Sequence, residues 1–284
     1  MYTFPIGVML DSFRLPTDEA LDAAKALGAS GIQMYAVSGN HTPDALTAEK
    51  RRELLKRVKA RGLVFSALCG DLGKGFGNRE KNPALIEKSK RILDLAQDLG
   101  TDVVTTHIGV VPNNPENERY KIMSEACFTL SQYADSMGAH FAIETGPETS
   151  ATLKRFLDQL GSTGVGVNLD PANLVMVTGD DPVGAVHNLK KYIVHTHAKD
   201  GNMLKKGDPE QIYGVTPMPE DMKNIPFFEE VPLGTGSVDF PAYLRALEEI
   251  GYKGYLTVER EVGDNPAADI GVAVAFLKKT IKEC

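Results

Sequence analysis

Four short apolar runs in the second half of the chain each end on a group that can ligate a metal ion. HFAIETG reaches Glu144, VGVNLDPAN reaches Asp170, YIVHTHAKD reaches His197, and GYLTVERE reaches Glu259. Three carboxylates and an imidazole gathered at one point would repel one another and be costly to take out of water. A divalent cation removes that cost. The donor set is hard, so it suits Mn²⁺, Mg²⁺, Co²⁺ or Zn²⁺ better than a thiophilic metal. Taken singly, a carboxylate after a strand is as readily a helix N-cap or a salt-bridge partner. Repetition over four successive runs argues against coincidence.

Weaker candidates close the earlier runs: Asp11, Tyr35, Cys69 and His107. His107, in TTHIG, either meets a substrate or merely packs. His195 lies two residues before His197 and so shares its side of the strand, where a core histidine with satisfied nitrogens is expected. His41, His140 and His187 read as surface residues, and Cys69 as a buried small residue. Arg14, Lys74, Lys199 and Arg260 could offer charge to a phosphate, against the plainer reading of surface or helix-flank cations. The three cysteines, Cys69, Cys127 and Cys284, are odd in number, widely spaced and without a CxxC, which excludes a disulfide framework and a Cys-based zinc knuckle.

The elements that must hold these groups alternate. Strands are expected at 6–10, 31–35, 64–68, 103–107, 141–144, 164–170, 192–197 and 255–259, all short, apolar and suited to a sheet covered on both faces. Helices are expected at 17–27 (with Thr17 as N-cap), 47–61, 83–99, 116–137, 150–160, 240–250 and 267–281, most of them closed by a following glycine. A weaker one falls at 181–191. Eight strand-then-helix units point to a single-domain (β/α)8 barrel, an α/β fold. The rival, a doubly wound sheet, usually brings a glycine-rich loop after its first strand, and LDSFRLPTDEA is no such loop. In a parallel barrel the strand ends share one face, so Glu144, Asp170, His197 and Glu259 would surround one point. The proline-rich stretch 200–236 reads as a long loop starting at that same face, where it would act as a lid or be a floppy insertion.

Composition sets outer bounds. The 284 residues carry 31 Lys+Arg against 38 Asp+Glu, a net charge of −7, which argues against a duplex-binding protein. No run is long enough for a membrane span, and the N-terminal MYTFPIGVMLDSFR reads as a first strand rather than a secretion signal. A reduced, cytoplasmic setting is the default. A homo-oligomer through the outer helices or long loops is open, with no copy number fixed.

The segments AIETG, VNLDPANL, VHTHAKD and LTVERE, with PLGTGSVDF before the last, resemble the sugar phosphate isomerase/epimerase family of xylose isomerase-like TIM barrels. The resemblance spans nearly the whole chain and is strongest from residue 143 to 261. It implies that Glu144, Asp170, His197 and Glu259 bind one divalent metal, with Mn²⁺ foremost, and that Glu144 and Glu259 serve as acid and base. Lys199 and Asp200 match the family's K-D pair, and His107 a histidine near the substrate; with Asn173 and Arg260 they form the expected substrate-binding set. Gly234 and Gly236 match the loop before the final helix. One departure stands at Asn173, where many relatives carry histidine. With Cys69-Gly70 where the apurinic endonuclease branch tends to carry another, it argues against a three-zinc nuclease.

The resemblance thus implies a sugar or sugar phosphate isomerase or epimerase acting through an enediolate. The alternatives are a keto-polyol dehydratase on the inosose pattern, a phosphodiesterase, and a non-catalytic sugar-binding barrel. The partner is a small sugar or polyol, with no nucleic acid or membrane.

Overall fold

The computed structural model describes residues 2–283, so Cys284 lies outside the described residues. Strands β1 (Ile6–Met9), β2 (Gly31–Tyr35), β3 (Val64–Cys69), β4 (Val103–Thr106), β5 (His140–Glu144), β6 (Val165–Leu169) and β7 (Ile193–Ala198) are joined by a later strand, β10 (Leu256–Val258). All eight pair in parallel and close in the order β1-β10-β7-β6-β5-β4-β3-β2. The expected (β/α)8 barrel is the fold. Each strand boundary agrees with the sequence reading to within one residue.

The helices return the chain between strands: α1 (Thr17–Leu27), α2 (Ala48–Ala60), α3 (Asn82–Leu99), α4 (Glu118–Ser136), α5 (Ser150–Leu160), the single turn α6 (Pro171–Asn173), and α7 (Pro182–Leu189). Side chains of Thr47, Asn117 and Thr149 accept backbone N–H groups at the starts of α2, α4 and α5, as N-caps do. Thr17 is not such a cap. It is the first helical residue of α1, behind Pro16, and its Oγ1 lies 3.1 Å from His41 Nε2. His41 is accordingly half-buried rather than a free surface group. No described helix is long and apolar enough to cross a membrane.

The barrel wall separates two environments. Outward-facing Val8, Ile32, Met34, Phe141, Val167 and Leu169 meet the apolar faces of the helices in one continuous core. Inside, Met9 apart, the side chains are mostly small or polar. Ala67, Val103 and Ala142 form a separate apolar patch. Beside it Gln33 donates to Thr105, and His195 bridges Asn168 and Thr257. Side chains alternate along a strand, so residues two apart share the interior. Gln33, Asn168, His195 and Thr257 therefore lie one layer below Tyr35, Asp170, His197 and Glu259.

The stretch 200–236 corrects the expectation of a structureless loop. It forms an antiparallel ribbon, β8 (Asp200–Met203) with β9 (Phe228–Val231), and between them the turn α8 (Pro209–Ile212) and a 3₁₀ turn at Glu220–Met222. Helices α9 (Phe240–Glu249) and α10 (Pro266–Glu283) complete the barrel. The ribbon is rooted by Asp200. Its buried carboxylate accepts N–H groups from Gly201, Gly234, Gly236 and Val238 at 2.9–3.1 Å. A Cβ at Gly236 would stand 2.3 Å from Asp200 Oδ1, so only glycine admits this contact.

Candidate metal centre

Glu144 closes β5, Asp170 follows β6, His197 is next to last in β7, and Glu259 follows β10. Their ligand atoms all lie within 4.8 Å of one another, and all four residues are buried. His197 Nδ1 faces the carboxylates from 3.5 Å (Glu144 Oε1), 3.4 Å (Asp170 Oδ2) and 3.3 Å (Glu259 Oε2). The structure brings together the four side chains singled out in the sequence.

Charge balance decides what this point can hold. Burial alone would raise the pKa of Glu144, but His107 and His197 outweigh it and hold the carboxyl below its usual range. Burial works the same way on Glu259, and His197 with Lys199 overrides it. Burial would discharge His197, yet Glu259 and Glu144 raise its pKa well above the usual value. The pocket therefore demands positive charge at Nδ1, supplied by a proton or by a cation. Asp170 Oδ2 is buried with no hydrogen-bond partner, which is costly unless an ion completes it. The residues present fit a divalent cation.

The layer below sets the imidazole. Gln33 Nε2 donates to Thr105 Oγ1 at 2.8 Å, which turns its Oε1 toward His197 Nε2 at 2.9 Å. His197 thus carries hydrogen on Nε2 and directs Nδ1 at the carboxylates, the second-sphere device common to histidine ligands. Asn168 Nδ2 donates to Glu144 Oε2 at 3.0 Å. The sequence reading missed both Gln33 and Asn168. The signal was there: a lone amide inside the apolar run GIQMY, and one two residues before Asp170.

The expected substrate-binding residues divide. His107 Nε2 lies 3.4 Å from Glu144 Oε1, and the ring lines a cavity of about 550 Å³ beside the cluster. Burial opposes charge on His107, but Glu144 and Asp71 outweigh it, so its pKa is raised. Asn173 spends its amide within the protein, donating to Glu144 Oε1 and Thr145 O, each at 3.2 Å. Lys199 is buried and pairs with Glu259 Oε2 at 3.1 Å and Glu261 Oε2 at 2.5 Å. Two of the set are engaged within the protein. Asp200 turns away into the ribbon amides, and Arg260 is held by Glu230 at 2.7 Å and Asp269 at 2.8 Å. Arg14 is likewise engaged, donating to Glu261 O and Gly263 O.

His195 is the core histidine expected. Nδ1 meets Asn168 Oδ1 at 2.8 Å and Nε2 meets Thr257 Oγ1 at 2.9 Å, and burial, then His197, presses its pKa down to about 3. Burial pushes the Cys69 thiol up, as befits a packed group and not a nucleophile.

Glu148 was not foreseen. It is buried, Oε2 accepts Val111 N–H at 3.3 Å, and Oε1 has no partner. Burial pushes its carboxyl up to about 8 against a usual 4.5. The folded chain holds this proton more tightly than the unfolded chain. Its stabilising contribution is complete below about 4.5 and is lost as pH rises through about 8. Glu148→Gln should flatten the fall in stability across that window. Urea titrations of both proteins at a series of pH values measure this; identical slopes would contradict it.

Rhizopine catabolism protein MocC of Rhizobium meliloti is 29% identical over 140 residues, covering 49% of this chain and 40% of that protein. Inosose dehydratase of Clostridium beijerinckii is 24% identical over 150 residues, covering 51% and 48%. The chain thus spans under half the length of these two relatives. Inosose isomerase of Bacillus velezensis is 25% identical over 232 residues, covering 78% and 72%. The crystal structure of a xylose isomerase domain protein from Planctomyces limnophilus superposes with a TM-score of 0.79 at 25% identity, covering 99% of each chain. The family model described as xylose isomerase-like TIM barrel matches residues 21–280, and the chain belongs to that family.

Proposed function

We propose that the protein is a divalent-metal-dependent isomerase or epimerase of a sugar or polyol, with Glu144 and Glu259 as its acid/base pair. One observation carries the reading: three carboxylates and His197 Nδ1 converge at the mouth of the barrel, beside an open cavity. Enzymes named for inosose isomerisation and dehydration among the relatives support it. Mn²⁺ is the first choice of metal, with Mg²⁺, Co²⁺ and Zn²⁺ next.

A cation held there would polarise an α-hydroxy carbonyl group and acidify the neighbouring C–H. The chain's own residues then move the proton. Glu144 and Glu259 stand three steps apart around the eight-strand ring, so they approach a substrate from different sides. One takes the proton and leaves an enediolate. Return to the neighbouring carbon gives isomerisation, and return to the other face of the same carbon gives epimerisation. Lys199, hydrogen-bonded to Glu259, steadies that carboxylate. His107 lines the cavity and faces the reacting end of a bound polyol.

The inosose dehydratase relative favours a second reading. Proton abstraction is the same, and a β-hydroxyl then leaves, with His107 placed to protonate it. Elemental analysis followed by incubation of the Mn²⁺-loaded protein with ketoses and inososes in deuterated water tests both. Deuterium at the carbon next to the carbonyl is expected, and an unsaturated product marks the dehydratase. A loaded protein that exchanges nothing across the panel would sink both readings.

A further inference from the structure

The cavity beside the candidate metal-binding cluster is lined by a cationic side chain that the proposed chemistry does not use. Arg119, the second residue of α4, reaches its wall together with His107, Lys74 and Tyr213. Its Nη1 is buried and has no hydrogen-bond partner. Among the described residues one carboxylate stands within 4 Å of it, Glu210 Oε1 at 3.7 Å. Glu210 belongs to the ribbon segment and is partly exposed. Asp71 lines the cavity too, but its Oδ1 is bent onto Gly73 N–H at 2.8 Å.

The guanidinium is seated rather than swinging. A Cβ at Gly77 would lie 2.6 Å from Arg119 Nε, and one at Gly109 would lie 3.2 Å from Nη2. Bare backbone at these two positions makes the slot in which the side chain rests. Burial weighs against its charge, with Glu210 and Glu148 pulling the other way. At neutral pH Glu148 keeps its own proton for most of the time, since burial pushes it up to about 8. It therefore offsets little of the positive charge. A pre-positioned guanidinium with an unused donor is suited to a planar or tetrahedral oxyanion.

We infer that this cavity receives the far end of an anionic substrate, a sugar or polyol whose carboxylate or phosphate is bound by Arg119, with Lys74 at the rim. The inference rests on the metal-dependent reading above for the other end of the molecule. It goes further by assigning the substrate a negative charge and this chain a residue that selects for it. Arg119 acts in specificity and has no part in proton transfer.

Three ligands that share an α-hydroxy ketone test it: D-fructose, D-fructose 6-phosphate and 5-keto-D-gluconate. Binding to the Mn²⁺-loaded protein is measured by calorimetry. One of the two anions should bind at least about tenfold more tightly than D-fructose, the scale of a hydrogen bond to a charged group. The anion that gains tells phosphate from carboxylate. In Arg119→Gln the advantage should vanish, in Arg119→Lys part of it should survive, and D-fructose should bind both variants as it binds the wild type. Equal binding of all three to the wild type, or an advantage that survives in Arg119→Gln, overturns the inference. Failure to bind Mn²⁺ would instead remove the metal-dependent reading. The same ligands and variants, without metal, would then decide the anion site by the same criteria.

Discussion

Glu259→Gln should fold normally and exchange solvent deuterium into its substrate at least about a thousandfold more slowly than the wild type, within the range for loss of a positioned acid or base. The amide is nearly the same shape and cannot carry a proton to or from carbon. It also withdraws one negative charge from a point where Glu259 Oε2 lies 3.3 Å from His197 Nδ1 and 3.1 Å from Lys199 Nζ. Metal affinity should therefore fall as well, and exchange must be measured at saturating Mn²⁺ with bound metal counted. Glu144→Gln should behave alike, though less cleanly. Asn168 and Asn173 both donate to Glu144, and one of them would then face a second donor. Full exchange in either metal-loaded variant would remove that glutamate from the acid/base pair.

Gln33→Leu touches no substrate and should still weaken Mn²⁺ binding by about ten- to a hundredfold, the usual consequence of losing the partner behind a histidine ligand. In the wild type Gln33 Oε1 accepts from His197 Nε2, and Thr105 keeps the amide turned that way. Leucine leaves a buried N–H without an acceptor. The ring can then place its hydrogen on Nδ1, where the cation should be. Equilibrium dialysis against Mn²⁺ at several pH values reads the effect directly. The metal-free wild type holds a proton on His197, because Glu259 and Glu144 overcome burial and raise its pKa. Binding must release that proton, so affinity should climb with pH until His197 is neutral. An unchanged affinity in Gln33→Leu would show that the imidazole does not ligate through Nδ1.

Glu144, Asp170, His197 and Glu259 were legible in the sequence for one physical reason. Parallel strands in a closed barrel end on one face, so a strand's last residues are neighbours of every other strand's last residues. The same alternation, carried back two positions, reveals Gln33, Asn168 and Thr257. Arg119 and Glu148 sit on a helix and a connecting loop, and the arrival of Arg119 at the cavity and of Glu148 behind Val111 depends on packing between distant parts of the chain. Asp200 and Arg260 behave differently. Both lie past the last residue of a barrel strand, where the backbone is free to turn. Asp200 turns into the first residue of the ribbon, and Arg260 toward Glu230 and Asp269. The ribbon itself escaped notice because two four-residue strands set 24 residues apart leave no periodicity to read.

The grip of Asp200 on its amides has an evolutionary corollary. One side chain pins both roots of the excursion, at Gly201 and at Gly234 through Val238. What lies between the roots adds little strain to the barrel beneath, since doubling a flexible loop costs only about 0.6 kcal/mol of closure entropy. The canopy that brings Tyr213 to the cavity wall and Glu210 beside Arg119 can therefore be re-cut in length and lining while the staves keep their register, so the wall can drift without any change to the acidic and imidazole cluster at the floor.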